Sequence, residues 1–341
     1  MRPALLPATC TAWRDRETVQ LARPGGRGAV VGGLDPALRR VLRLLDGSYD
    51  RATVLAAATA DGVPAARAGA LLDLLTDAGL LCDGGQDRSA LLGLGHEERA
   101  RLAGDLASLS MVRGDGGLSA VALRRAVGVL VVGAGRIGVP VALALAAAAV
   151  GDVDVVDDDV ARPQDTGVGG LSLSDVGRPR GQAARELLHR TAPSLPRLPL
   201  VSPDLVVLAS GRPDVRERAR RLVLEGTPHL LVGVRDATGV VGPLVLPGRT
   251  PCLRCIELTR SDLDPCWPVL SSQLPAAGED DQGCDGSLAL AVAAQAVMQV
   301  LAMVDATTDP AALGGTLEMV LPDWRWRRRS WPVHPDCGCA A

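Results

Sequence analysis

The sequence predicts an α/β fold built on a parallel sheet, and three observations carry that expectation. The first is the stretch Val129 to Gly138, V-L-V-V-G-A-G-R-I-G, where an apolar run enters Gly133, Gly135 and Gly138. Such a run reads as a buried strand, a tight turn and a helix start. The first glycine permits the turn, the second lets backbone approach a phosphate, and the third lets helix pack on strand. The second observation is the helix-forming, Ala-rich stretch Pro140 to Ala149, followed by the β-branched run Val153 to Val156. The third is that this run ends at Asp157, about 20 residues past the loop, where a ribose-binding carboxylate belongs. Strand, helix, strand and acid in this order describe a Rossmann-like unit whose helix N-terminus offers N–H groups to an anion. They specify a fold, not a reaction.

A length of 341 residues suggests about two domains. The net charge of −3 gives no reason to expect nucleic acid. All the basic residues are Arg, and neither Lys nor Phe occurs. An Arg where another protein has Lys therefore carries little information here. Met1 to Pro7 lacks the apolar core of a secretory signal. The longest apolar run, Leu288 to Val304, is interrupted by Gln295 and Gln299, which predicts a core helix rather than a membrane span. A cytoplasmic location is expected. In that compartment paired cysteines point to metal rather than to disulfides.

Residues 1–84 have their own pattern. Thr18 to Ala22 and Gly28 to Val31 read as paired strands around the turn Pro24-Gly25-Gly26. Helices are expected over Asp35 to Leu45, Asp50 to Ala60 and Val63 to Ala78, and the last carries Ala66, Ala70, Leu71, Leu74 and Leu75 at helical spacing. A short apolar run, Gly79 to Cys82, closes the segment. Strands with three short helices fit a winged helix; a helical subdomain without a partner is the alternative. Residues 85–117 read as a linker, with one helix over His96 to Val112, and residues 118–341 as the Rossmann-like domain. Leu205 to Ser210, Leu230 to Val234 and Val240 to Leu246 are expected strands, the last broken by Gly242 and Pro243. Gly286 to Val304 reads as an apolar helix, and Gly315 to Leu321 with Trp324 to Trp331 as a terminal hairpin.

Cys252 and Cys255 form C-x-x-C, and Cys337 and Cys339 form C-x-C. Each spacing lets two thiolates reach one tetrahedral ion, so together they predict a closed structural zinc site that pins the C-terminal tail. The alternatives are four unrelated small residues, redox chemistry at C-x-x-C, or His334 in place of one thiolate. Cys10, Cys82, Cys266 and Cys284 have no metal-like spacing and read as small buried side chains; a nucleophile among them would be Cys284.

Glycine loop, acidic cluster, P-C-L-R-C and terminal C-x-C, in that order, resemble the adenylating fold of ThiF, MoeB and the ubiquitin-activating enzymes from about Val127 onward. A closer resemblance covers nearly the whole chain. R-L-A-G-D-L-A-S-L (Arg101 to Leu109), G-P-L-V-L-P-G-R-T-P-C-L-R-C (Gly242 to Cys255), D-P-C-W-P (Asp264 to Pro268) and H-P-D-C-G-C are similar to actinobacterial ThiF-like partners of YcaO cyclodehydratases. These serve thiazole/oxazole-modified peptides (TOMM products). The resemblance implies an N-terminal winged-helix domain that binds the precursor leader, a homodimer, and a ThiF-like part without adenylating activity. It places the leader between the strand Gly28, Ala29, Val30 and Val31 and the helix carrying Ala70, Leu71 and Leu74.

The resemblance also implies where nucleotide contacts lie: Gly133, Gly135, Arg136, Gly138, Asp157, Asp159 and Arg180. Active members follow D-x-D with Asn, Arg and then Lys, all acting on ATP. Here Asp157 and Asp159 match the acids, Asp165 stands at the Asn position, Val168 at the Arg position and Arg180 at the Lys position. Gly211 stands where active members hold magnesium with an Asp. Lost charge-handling groups predict a degenerate nucleotide pocket.

Three functions are weighed. The first is a non-catalytic protein that binds a leader and presents the precursor to a YcaO enzyme for azoline or azole formation. The second is an ATP-dependent adenylyltransferase acting on the C-terminus of a sulfur-carrier or ubiquitin-like protein. The third, a nicotinamide oxidoreductase, lacks any acid/base pair for hydride transfer. The precursor, its product and the partner enzyme are not legible in the chain.

Overall fold

The computed structural model describes residues 1–22, 28–209, 214–235, 237–273 and 284–339. The expected turn Pro24-Gly25-Gly26 and Gly211 lie outside the described residues. The chain divides into two compact units, Met1–Ala122 and Leu123–Ala341.

In the first unit β1 (Pro3–Leu5) is followed by β2 (Cys10–Trp13), β3 (Val19–Ala22) and β4 (Gly28–Val31). Next come α1 (Pro36–Arg43), α2 (Arg51–Ala60), α3 (Ala65–Asp77) and β5 (Leu81–Asp83), and then α4 (His96–Arg101) and α5 (Ala103–Arg113). β2, β3 and β4 form an antiparallel sheet in that order, and β1 pairs with β5. Helix starts follow capping chemistry. Asp35 accepts from the N–H groups of Ala37 and Leu38 at 3.0 and 2.9 Å, and Asp50 caps α2 through Thr53 N–H at 2.8 Å. Val19, Leu21, Val31, Leu38, Val54, Leu72 and Leu75 fill the core. The single helix expected over His96 to Val112 is two helices, joined at Leu102. The buried Leu102 turns inward there, two residues before Gly104, a weak helix former.

The helix α6 (Leu118–Arg125) spans the division between the units. The second unit continues with β6 (Gly128–Val132), α7 (Gly138–Ala147), β7 (Asp152–Val156), α8 (Arg180–Thr191), β8 (Leu205–Leu208), α9 (Val215–Leu224) and β9 (His229–Arg235). After these come β10 (Thr238–Val245), α10 (Leu253–Leu263), α11 (Trp267–Gln273), α12 (Gly286–Asp305), β11 (Gly315–Val320) and β12 (Trp326–Ser330). The seven strands run in the order β12-β11-β10-β9-β8-β6-β7. β6 to β9 pair in parallel, and β10 to β12 are antiparallel. Strand order reverses at β6, which puts a crevice at its carboxyl end. β10 is not broken at Gly242 and Pro243: it continues through a register shift between Val241 and Leu244.

Period-two alternation sorts the sheet into faces. Val129, Val131, Leu205 and Val207 pack with α7, α8 and α12, while Val132, Val206 and Leu208 pack with α9. α12 is long and apolar enough to cross a membrane by composition alone. In this fold its Leu288, Val292, Ala296 and Val300 are buried in the sheet core. Its last residue, Asp305, takes a bidentate pair from Arg124 at 2.8 and 2.7 Å, with both side chains buried. Removing one partner of such a pair leaves a buried charge exposed to a low dielectric. Asp305→Ala is expected to lower unfolding stability by about 3–5 kcal/mol, read as a shifted urea midpoint.

Candidate functional site

The crevice is built by close backbone approach. Gly133 ends β6 with φ +107°. A Cβ on Gly138 would lie 1.8 Å from the Gly133 carbonyl oxygen, so only glycine lets α7 start there. Gly135 faces open space. A second such contact was not read from the sequence. A Cβ on Gly181 would lie 2.6 Å from the Asp157 carbonyl oxygen, so this glycine lets the start of α8 abut the end of β7.

The structure brings Asp157, Asp159, Asp165 and Arg180 into one cluster. Asp157 accepts the Ala134 N–H at 2.7 Å and pairs with Arg180 at 3.0 Å. The same guanidinium meets Asp159 at 2.9 Å and Asp165 at 2.8 Å. Asp165 also accepts the Arg162 N–H at 2.7 Å and is buried. Burial works to lower the Arg180 pKa, and the Asp157 and Asp165 carboxylates more than reverse it, so the value is raised. Among the described residues one guanidinium, that of Arg180, meets all three carboxylates. Arg136 is also committed: it donates to the carbonyls of Thr166 at 3.1 Å and Cys284 at 2.8 Å. Val168 is 80% exposed and offers nothing to an anion. Among the described residues Arg180 and Arg136 are therefore both engaged with protein oxygens.

The four cysteines of the two pairs meet. Cys252 caps α10 and Cys255 lies in its first turn. Their sulfurs are 3.9 Å apart, Cys252 is 3.4 Å from Cys337, and Cys255 is 3.4 Å from Cys339. All four sulfurs lie within 4.8 Å of one another. A tetrahedral ion with bonds of about 2.3 Å needs sulfurs about 3.8 Å apart, so the donor set fits a metal. Burial, and then the neighbouring Cys255 sulfur, push the Cys339 thiol up to about 11. A cation among the sulfurs is what favours thiolates there. His334 is not a fourth ligand: its Nε2 meets Asp262 at 2.9 Å and its Nδ1 accepts the Asp336 N–H at 3.1 Å. It fixes the turn that carries Cys337. Of the remaining cysteines Cys82 is buried, whereas Cys10 and Cys266 are exposed and Cys284 is partly exposed. Cys10 sits on the outer strand β2, which explains its exposure.

In the first unit β2 pairs with β3, not with β4. Among the described residues the outer edge of β4, Gly28 to Val31, therefore has no strand partner. Val30 is exposed and Val31 buried. Arg67 on α3 donates to the Gly33 carbonyl at 2.7 Å and pairs with Asp35 at 2.6 Å, fastening the helix beside the end of β4. Ala66, Ala70 and Leu74 form an exposed apolar stripe on α3. Leu71 does not belong to it: it is buried in the unit's core, because it lies one position off the stripe.

The chain matches the ThiF family over residues 109–340. No curated protein sequence matches it. Among solved structures, E. coli MccB with ATP matches at 15% identity and TM-score 0.70, covering 100% of both chains. E. coli MccB with AMPCPP and MccA matches at 16% identity and TM-score 0.71, again over 100% of both. A structure of PaaA matches at 15% identity and TM-score 0.66, over 95% of this chain and 99% of that one. At such identity the likeness is one of fold, and it includes the first unit. The matched span covers more than half of the sequence, its glycine loop and its four cysteines, and the chain belongs to the ThiF family.

Proposed function

We propose that this protein is a non-adenylating precursor-recognition subunit. It binds the leader of a ribosomally made peptide and presents that peptide to a YcaO-type cyclodehydratase in the cytoplasm, acting as a homodimer. The observation that carries this reading is Arg180, locked by Asp157, Asp159 and Asp165 where an adenylating enzyme needs free cations for phosphate. The open β4 edge supports the positive half of the proposal. Unpaired N–H and C=O groups accept an extended peptide as a further strand, and the stripe Ala66, Ala70 and Leu74 would select its side chains. Solved MccB structures hold the peptide MccA on a chain of the same overall fold, which supports a peptide as the ligand. The residues 1–84 would form the winged-helix recognition domain of this scheme.

Main-chain pairing supplies sequence-tolerant affinity, and the apolar stripe supplies selectivity. Leu74 is 42% exposed, so Leu74→Glu spares the core while placing a charge in the groove. It is expected to weaken binding of a fluorescent leader from the same gene cluster by about tenfold or more. Unchanged affinity would sink the groove as the site. Pyrophosphate exchange is expected to stay at background with ATP and any carrier protein or peptide; robust exchange would establish the adenylating reading instead.

Zinc is the proposed occupant of Cys252, Cys255, Cys337 and Cys339, in a structural role. Purified protein should carry one zinc per chain by metal analysis, and Cys337→Ser with Cys339→Ser should lose it and lower the melting temperature. Stoichiometric zinc retained in that double variant would remove the C-x-C from the site.

A further inference from the structure

The sheet face that carries α9 and α10 holds a cavity of about 270 Å³ that neither the leader groove nor the metal site uses. Leu208, Val215, Leu231 and Ile256 give it an aliphatic floor. Its charged lining is unbalanced: Arg216, Arg235, Arg260 and Arg329 face Glu257 and Glu318. Arg216 is neutralised by Glu257 at 2.7 Å. Among the described residues no carboxylate lies within ion-pair distance of Arg235, Arg260 or Arg329. Arg260 lies over the Trp267 and Trp331 rings, 4.9 and 5.2 Å from their centroids, and Arg329 lies 5.5 Å over Trp331. Stacking holds these guanidiniums flat and leaves their donor edges unused. The Nε of Arg235, which lines the cavity, is buried without a hydrogen-bond partner. Burial first, and then the neighbouring Arg235 cation, push the Arg260 pKa down.

A buried guanidinium donor without an acceptor, beside cations without a carboxylate partner among the described residues, calls for an anion. The Glu318 carboxylate on the same wall disfavours a dianion. An aliphatic floor calls for an apolar body. We propose that this cavity binds a monocarboxylate with an apolar body, the size of one or two amino-acid residues. A small organic acid and the C-terminal residue of a peptide share that chemistry. The site is independent of the leader-binding reading and survives its failure.

The test is calorimetric titration of the full chain with hexanoate, with hexanamide as the neutral isostere. N-acetyl-Leu-Leu, free and C-amidated, forms a second arm. Hexanoate is expected to saturate, with hexanamide weaker by about tenfold or more. Arg329→Gln, at an exposed edge-strand position, should weaken hexanoate by about tenfold, and Arg260→Gln should do the same where its circular dichroism matches the parent. Tighter binding of the free peptide than of hexanoate assigns the site to a peptide terminus; the reverse assigns it to a free acid. Equal binding of hexanoate and hexanamide, no saturation at millimolar concentration, or an unchanged affinity in Arg329→Gln overturns the proposal. A smaller species in sedimentation of Arg329→Gln, with hexanoate affinity unchanged, also overturns it and makes these cations a subunit contact.

Discussion

Backbone contact at the carboxyl ends of β6 and β7 is the constraint on which the second unit depends. Gly138 lets α7 begin against the Gly133 carbonyl, and Gly181 lets α8 begin against that of Asp157. Any side chain at either position would force a helix off its strand. The two helix starts hold the crevice at the point where strand order reverses. They also bring the residue at the start of α8, Arg180, within reach of Asp157 and Asp159 at the end of β7. The same packing that makes the crevice therefore determines its charge.

A ThiF-family crevice is present in backbone, yet the cation facing it is spent on Asp157, Asp159 and Asp165. Phosphoryl chemistry rests on unspent positive charge positioned before the reaction. The ion network also ties the loop after β7 to α8. Asp165 contributes twice, to Arg180 and to the Arg162 N–H.

The cysteine cluster does a different job. Cys252 and Cys337 are 85 positions apart, yet their sulfurs are 3.4 Å apart. The C-terminal tail is held against the start of α10 by this cluster and against its end by His334 with Asp262. A metal among the four sulfurs would add a covalent closure to a long loop, whose entropic cost grows only slowly with length.

Local patterns were enough for much of the chain. The run Val129 to Gly138 identified β6, its turn and α7, because glycine spacing and β-branched runs are statements about neighbouring residues. The caps Asp35 and Asp50 marked helix starts for the same reason. The two cysteine pairs announced a metal-type donor set through their spacing alone. What the sequence could not decide was relative position in space. It placed Arg180 among the nucleotide contacts by resemblance, with little weight because the chain uses only Arg for its basic side chains; the three carboxylates it meets come together only when α8 docks on β7. Leu71 was indistinguishable from Ala70 and Leu74 until α3 packed and turned it into the core. The cationic cavity draws Arg235, Arg260 and Arg329 from β9, α10 and β12, distant segments joined only by sheet order. Sequence determines where an element starts and which side chains it offers; tertiary packing decides which charges meet, and an unmet charge is what makes a site.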